Sequence, residues 1–192
     1  MPINRGLQIA IVGAESTGKT ALAPALAERI ARESGLHCGW VSEWLREWCD
    51  RQGRTPRRDE QAGIARMQQA RIAAAARSHD LVVCDTTALM TAVYSSLIFG
   101  DHSLQAYAVE QQRHCAITLL TALDLPWVAD GLQRDGAQVR TPVDNAIRRI
   151  LAEHHLPWAL VSGSGAQRVE SALAAVAPLL HQHAARPAPN PT

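Results

Sequence analysis

The chain has 192 residues, 47% apolar and 19% charged, with a formal net charge of +1. That balance suits one globular domain with a sizeable core; it excludes general disorder and a broad basic surface for nucleic acid or membrane. No apolar run approaches the ~18 residues of a membrane span. The four cysteines, Cys38, Cys49, Cys84 and Cys115, show neither metal spacing nor disulfide density, which points to a reducing, cytoplasmic compartment.

Leu7 to Val12 is a short apolar run that ends at Gly13, a buried strand. Residues 19–34 have apolar side chains at helical spacing and stop before Gly35, a helix. His37 to Ser42 reads as a second strand, and residues 43–52 and 59–78 as helices around a Gly-Arg-Thr-Pro turn. The third strand, residues 81–84, runs into Asp85. Residues 86–99 and 103–114 look helical, 116–120 form a fourth strand, and 124–140 are irregular. Thr141-Pro142 opens another helix, 158–161 form a fifth strand, and 166–181 form a closing helix before a proline-bearing tail from 184. Strands separated by such helices predict an α/β domain over residues 1–183. It has three layers, with a five-stranded, mainly parallel sheet flanked by helices and a lid segment at about 125–140.

Residues 13–20 read GAESTGKT, a match to GxxxxGK[ST] placed between a strand and a helix. Lys19 is the only lysine in the chain; every other basic side chain among the 19 is arginine. Gly13, Ala14, Glu15, Ser16, Thr17 and Gly18 would form the turn whose N–H groups cradle phosphates, helped by the positive end of the helix dipole. Lys19 would reach the β- and γ-phosphates of ATP, and the Thr20 hydroxyl would ligate Mg²⁺.

Phosphate loops serve GTPases, motors and kinases. A guanine-reading NKxD loop needs a second lysine, which this chain lacks, and a motor places Glu after the acidic strand, where this chain has Asp85-Thr86-Thr87. A kinase remains, and it needs a carboxylate for metal, a base for the acceptor hydroxyl and positive charge on the transferred group. Asp85 suits Mg²⁺ or the base, or it caps the next helix. Glu43, in VSEWLREW, suits the base or a ligand for acceptor hydroxyls, with Arg46 one turn on, or it is a helix-start acid. Trp44 lines an acceptor pocket or packs in the core together with Trp48. The segment 125–140 carries Arg134 and Arg140 and is either a lid closing over phosphates or a surface loop. Arg168 stacks on adenine or sits on the surface. The eight histidines lack ligand spacing and read as solvated rather than metal-binding.

IVGAESTGKT, VSEWLREW, VVCDTTALMTAVY and LPWVADG, in this order, resemble the ribosylnicotinamide kinase domain of the NadR family, from about residue 7 to about residue 170. The resemblance implies transfer of the ATP γ-phosphoryl group to the 5′-hydroxyl of nicotinamide riboside, with Asp85 and Glu43 serving Mg²⁺ and acceptor. It also implies Trp127, Asp130 and Arg134 in the lid region. A strand beginning at residue 7 leaves no room for the adenylyltransferase and helix-turn-helix domains of full-length relatives, so neither activity is expected. Where those relatives place arginine directly after DGL, this chain has Gln133 and then Arg134. A cationic nicotinamide ring would suit acids and aromatic faces such as Glu43, Trp44, Asp85, Tyr94 and Trp127. The same groups suit another nucleoside or small metabolite. A regulatory ATPase gripping a protein partner is the alternative outside the kinases.

Overall fold

The computed structural model describes residues 6–128 and 136–184. Five strands, β1 (Leu7–Val12), β2 (Cys38–Val41), β3 (Leu81–Asp85), β4 (Ile117–Thr121) and β5 (Trp158–Val161), form one sheet in the order β2-β3-β1-β4-β5. Every pairing is parallel, so the sheet is wholly rather than mainly parallel. The helices are α1 (Lys19–Ser34), α2 (Trp44–Gln52), α3 (Gln61–Ala75), α4 (Ala88–Phe99), α5 (Gln105–Gln112), α6 (Arg140–Glu153) and α7 (Gly165–Ala184). Among the described residues no helix is long and apolar enough to cross a membrane.

Side-chain alternation along β1 assigns the layers. Ile9 and Ile11 face α1 and α7, where they pack with Leu22, Leu26, Ile30, Ala172 and Val176. Val12 faces the opposite side and packs with Leu89 and Val93 of α4 and Val143, Ile147 and Leu151 of α6. Val82 and Cys84 of β3 meet Ile72 of α3. Period-2 burial on both faces gives the near-continuous apolar runs of β1, β3 and β4, as a doubly covered parallel sheet requires. Ala65, Ala88, Ala92 and Ala108 let α3, α4 and α5 approach closely.

One local departure from the expected elements follows Asp85. Thr86 has φ of 66°, a left-handed conformation uncommon for a β-branched residue, so α4 starts at Ala88 rather than at 86. The N-cap is Thr87, not Asp85. The Thr87 hydroxyl accepts from the Leu89 N–H at 3.3 Å and donates to Gln112 Oε1 at 2.7 Å, while Gln112 Nε2 donates to Thr118 Oγ1 at 2.7 Å. Capping by Thr87 leaves the Asp85 carboxylate uncommitted to the helix.

Candidate active site

The phosphate loop turns at the carboxyl end of β1, between β3 and β4, where the chain leaves the sheet in opposite directions. Gly13 is required there: a Cβ would lie 2.1 Å from Thr121 Oγ1 and 3.1 Å from Thr17 Oγ1. The Thr17 hydroxyl donates to the Ala14 carbonyl at 2.8 Å and accepts from Thr121 at 2.7 Å. Gly18 precedes α1 with φ of 77°. The Ser16 hydroxyl donates to the Val128 carbonyl at 2.6 Å and accepts from the Val128 N–H at 3.2 Å, which ties the loop to the segment that follows β4.

Arg168 lies neither on the surface nor free to stack on a base. It is 3% exposed. Its Nε donates to the Gly163 carbonyl and one Nη to the Thr17 carbonyl, each at 2.8 Å, and the other Nη pairs with Asp124. The guanidinium therefore braces the phosphate loop from behind. Arg168→Ala strips three partners at once and is expected to cost about 2–3 kcal/mol of stability, measured by urea unfolding. A change under about 0.5 kcal/mol would refute the brace.

A cleft of about 540 Å³ opens above the loop. Residues 15–21, Glu43, Arg46, Thr86, Met90, Tyr94, Leu125, Pro126 and Val128 line it. Lys19 Nζ donates to the Ala14 carbonyl at 2.8 Å, folded onto the loop it would leave to meet phosphate. Burial lowers the Lys19 pKa, opposed by Glu43, Asp85 and Glu15. Glu43, with 14% of its side chain exposed and Arg46 Nε at 3.9 Å, is pushed above the ordinary carboxylate value. Burial is the main cause and Asp85 adds to it, while Lys19 works against it.

Asp85 is 0% exposed and does not line the cleft. Burial raises its pKa, while the nearby Thr20 hydroxyl and Lys19 draw it down. Among the described residues no donor meets strict hydrogen-bond geometry at either carboxylate oxygen, and the Thr20 hydroxyl is the one side-chain donor close enough to draw its pKa down by hydrogen bonding. A buried carboxylate beside a threonine hydroxyl, with no other donor satisfying it among the described residues, forms a hard-oxygen donor set that fits Mg²⁺. Among the described residues no cluster of three metal-ligating side chains exists, so phosphate and water would complete the coordination.

Two further anticipated residues stand elsewhere. Trp44 is not among the residues lining the cleft; the guanidinium carbons of Arg51 and Arg71 lie 5.0 and 5.4 Å from its ring centroid. Leu125, Pro126 and Val128 line the cleft, but Trp127 between them does not, and its buried indole N–H has no partner among the described residues. Asp130 and Arg134 lie outside the described residues. Thr86, Met90 and Gln68 were not legible as site residues. Thr86 and Met90 read as helix, and a glutamine within α3 carries no motif.

A second cavity of about 130 Å³ shares Glu15 and Tyr94 with the cleft and continues between Leu45, Thr55, Pro56, Gln61, Ile98 and Phe99.

Among solved structures, the chain is similar to a NadR protein crystallised with NR (TM-score 0.71, 19% identity, 97% of this chain and 53% of that one). A NadR protein with NAD and AMP-PNP gives a TM-score of 0.66 at 18% identity, covering 97% of this chain and 52% of that one. Thymidylate kinase from Ehrlichia chaffeensis gives 0.59 at 15% identity, covering 91% of this chain and 99% of that one. The chain thus spans about half the length of the NadR proteins it matches. No curated protein sequence matches it. These likenesses establish the α/β fold of phosphate-loop kinases. The AAA domain family matches residues 8–168, from the first strand through the phosphate loop and the cleft to the Arg168 brace, and the chain belongs to that family.

Proposed function

We propose that this protein is a cytoplasmic kinase that transfers the γ-phosphoryl group of Mg²⁺-ATP to the 5′-hydroxyl of nicotinamide riboside, giving nicotinamide mononucleotide for NAD salvage. The observation that carries the reading is the division of two coupled carboxylates around the only lysine. Glu43 borders the cleft, while Asp85 is sealed behind Thr20. The similarity to NadR proteins holding NR and AMP-PNP supports the acceptor and the donor.

Thr20 and Asp85 would hold Mg²⁺, which when bound neutralises charge between the phosphates. Lys19 and the loop N–H groups bind and orient the γ-phosphate. Asp85, closed off from the cleft, has no path to an acceptor hydroxyl. Glu43 has one, and a raised pKa makes it a more effective proton acceptor near neutral pH. The acceptor ring would occupy the second cavity, against Tyr94 and Phe99, with Glu15 supplying negative charge for a cationic ring.

The test is phosphoryl transfer from Mg²⁺-ATP to nicotinamide riboside beside a panel of ordinary nucleosides, with Glu43→Gln in parallel. Nicotinamide riboside is expected to turn over preferentially, and Glu43→Gln to lose about 10²–10⁴ in kcat. Because the base must be ionised, wild-type kcat/KM should fall as pH drops through a Glu43 pKa above the ordinary 4.5. That acid limb should vanish in Glu43→Gln. Turnover of a different nucleoside alone would move the acceptor. Lys19-dependent ATP hydrolysis without any acceptor would favour an ATPase acting on a protein partner.

A further inference from the structure

Gln68 lies on α3, outside the phosphate loop and away from every motif, and is 2% exposed. Its Oε1 accepts from the Trp44 N–H at 2.6 Å, at the start of α2. Its Nε2 is shared among the carbonyls of Ser42 at 3.3 Å, Thr86 at 3.4 Å and Asp85 at 3.5 Å. One amide thus joins two separate chain segments. Residues 42–44 carry Glu43 at their centre; residues 85 and 86 carry the buried carboxylate and the left-handed turn that follows it. The two segments continue β2 and β3 past the point where the strands pair, Val41 against Cys84, and Arg46 ion-pairs with Glu43. Ser42 Oγ donates to Glu47, Arg71 donates to both Ser42 Oγ and Glu47, and the Thr86 N–H donates to the Ile11 carbonyl.

A buried amide with both ends engaged is costly to misplace, because each lost partner leaves a desolvated polar group. It therefore carries the spacing of the β2–β3 pair onward into the two segments beyond Val41 and Cys84. We infer that Gln68 is a positioning residue that sets the acceptor-side segment bearing Glu43 against the metal-side segment bearing Asp85. This inference rests on the kinase reading for the acceptor and on the Asp85–Thr20 donor set for the metal. Gln68 itself touches neither substrate nor metal. Its effect passes through the main chain of its neighbours, as supporting residues around metal sites do.

The experiment compares wild type, Gln68→Met, which keeps the volume and removes both hydrogen-bonding ends, and Gln68→Glu, which keeps an acceptor for the Trp44 N–H. AMP-PNP binding is measured by calorimetry with and without Mg²⁺, alongside thermal unfolding and the KM for the acceptor. Metal-free AMP-PNP affinity should stay within about twofold of wild type, because the phosphate loop is untouched, while the tightening caused by Mg²⁺ should shrink about tenfold. The acceptor KM should rise more in Gln68→Met than in Gln68→Glu. A purely structural glutamine would lower the unfolding temperature and leave the Mg²⁺ effect unchanged. That result, in whichever variant folds, overturns the inference. Wild type that binds Mg²⁺-AMP-PNP normally but phosphorylates no nucleoside defeats the acceptor reading while the Mg²⁺ comparison still judges Gln68. Wild type with no Mg²⁺ effect overturns the inference together with the metal role of Asp85.

Discussion

Lys19→Ala is expected to lower γ-phosphoryl transfer by about 10³-fold while leaving the fold intact. Lys19 opens α1, and its side chain reaches back over the loop to the Ala14 carbonyl, so its removal empties the centre of the cleft without touching the core. Glu43, Asp85 and Glu15 all act on this one ammonium. Without it, Glu15 and Glu43 would face the incoming phosphates, with Asp85 behind them and Arg46 the one cationic side chain lining the cleft among the described residues. Arginine should not substitute, because a planar guanidinium cannot occupy the space of a compact ammonium inside the loop. The variant carries a second signature. Lys19 opposes the rise of the Glu43 pKa, so the acid limb of any residual activity should move to higher pH. Steady-state kinetics across pH checks both points, and turnover within tenfold of wild type would refute the phosphate-loop role.

Asp85→Asn should separate stability from activity. Burial holds the Asp85 carboxyl above its ordinary value, so between its unfolded and folded pKa values the native state binds more protons than the unfolded chain. Stability contributed by this group is therefore fully present at low pH and is lost as pH rises through the folded pKa. Asparagine, neutral and nearly isosteric, removes that loss. The variant should unfold at a higher temperature than wild type at pH 7.5, and the advantage should shrink as pH falls toward the ordinary carboxylate range. Activity should move the other way. An amide offers one oxygen and no charge to a divalent ion, so Mg²⁺-dependent transfer should drop by about 10²–10³-fold. Stored instability at a functional carboxylate is a common exchange of stability for chemistry. Unchanged Mg²⁺-dependent turnover, or an unfolding temperature below wild type at pH 7.5, would refute this account.

Local chemistry announced most of the architecture. Glycines 13 and 18 just before a unique lysine have few uses outside a phosphate loop, and the apolar runs at 7–12, 81–84 and 116–120 place buried strands to within a residue. The boundaries that slipped did so for identifiable reasons. Residue 86 looks helical by composition but turns left-handed, because Asp85 is still paired with Ile11 in the sheet and the Thr86 N–H still donates to the Ile11 carbonyl, so the chain turns away only there.

The amino-acid sequence by itself determined the alternation of strands and helices, the phosphate loop and the acids available to serve it, since each depends on residues within a few positions of one another. The tertiary structure alone decided how those acids divide. Glu43 and Asp85 are 42 positions apart, and only sheet order and the Gln68 amide bring their segments together, one at the cleft and one sealed behind Thr20. It also decided that Trp44 lies between arginines rather than in the cleft, and that Arg168 braces Thr17 from 151 positions away. Burial and partner choice of this kind follow from which surfaces meet after the chain closes, and helical or strand periodicity carries no information about what lies on the other side of the contact.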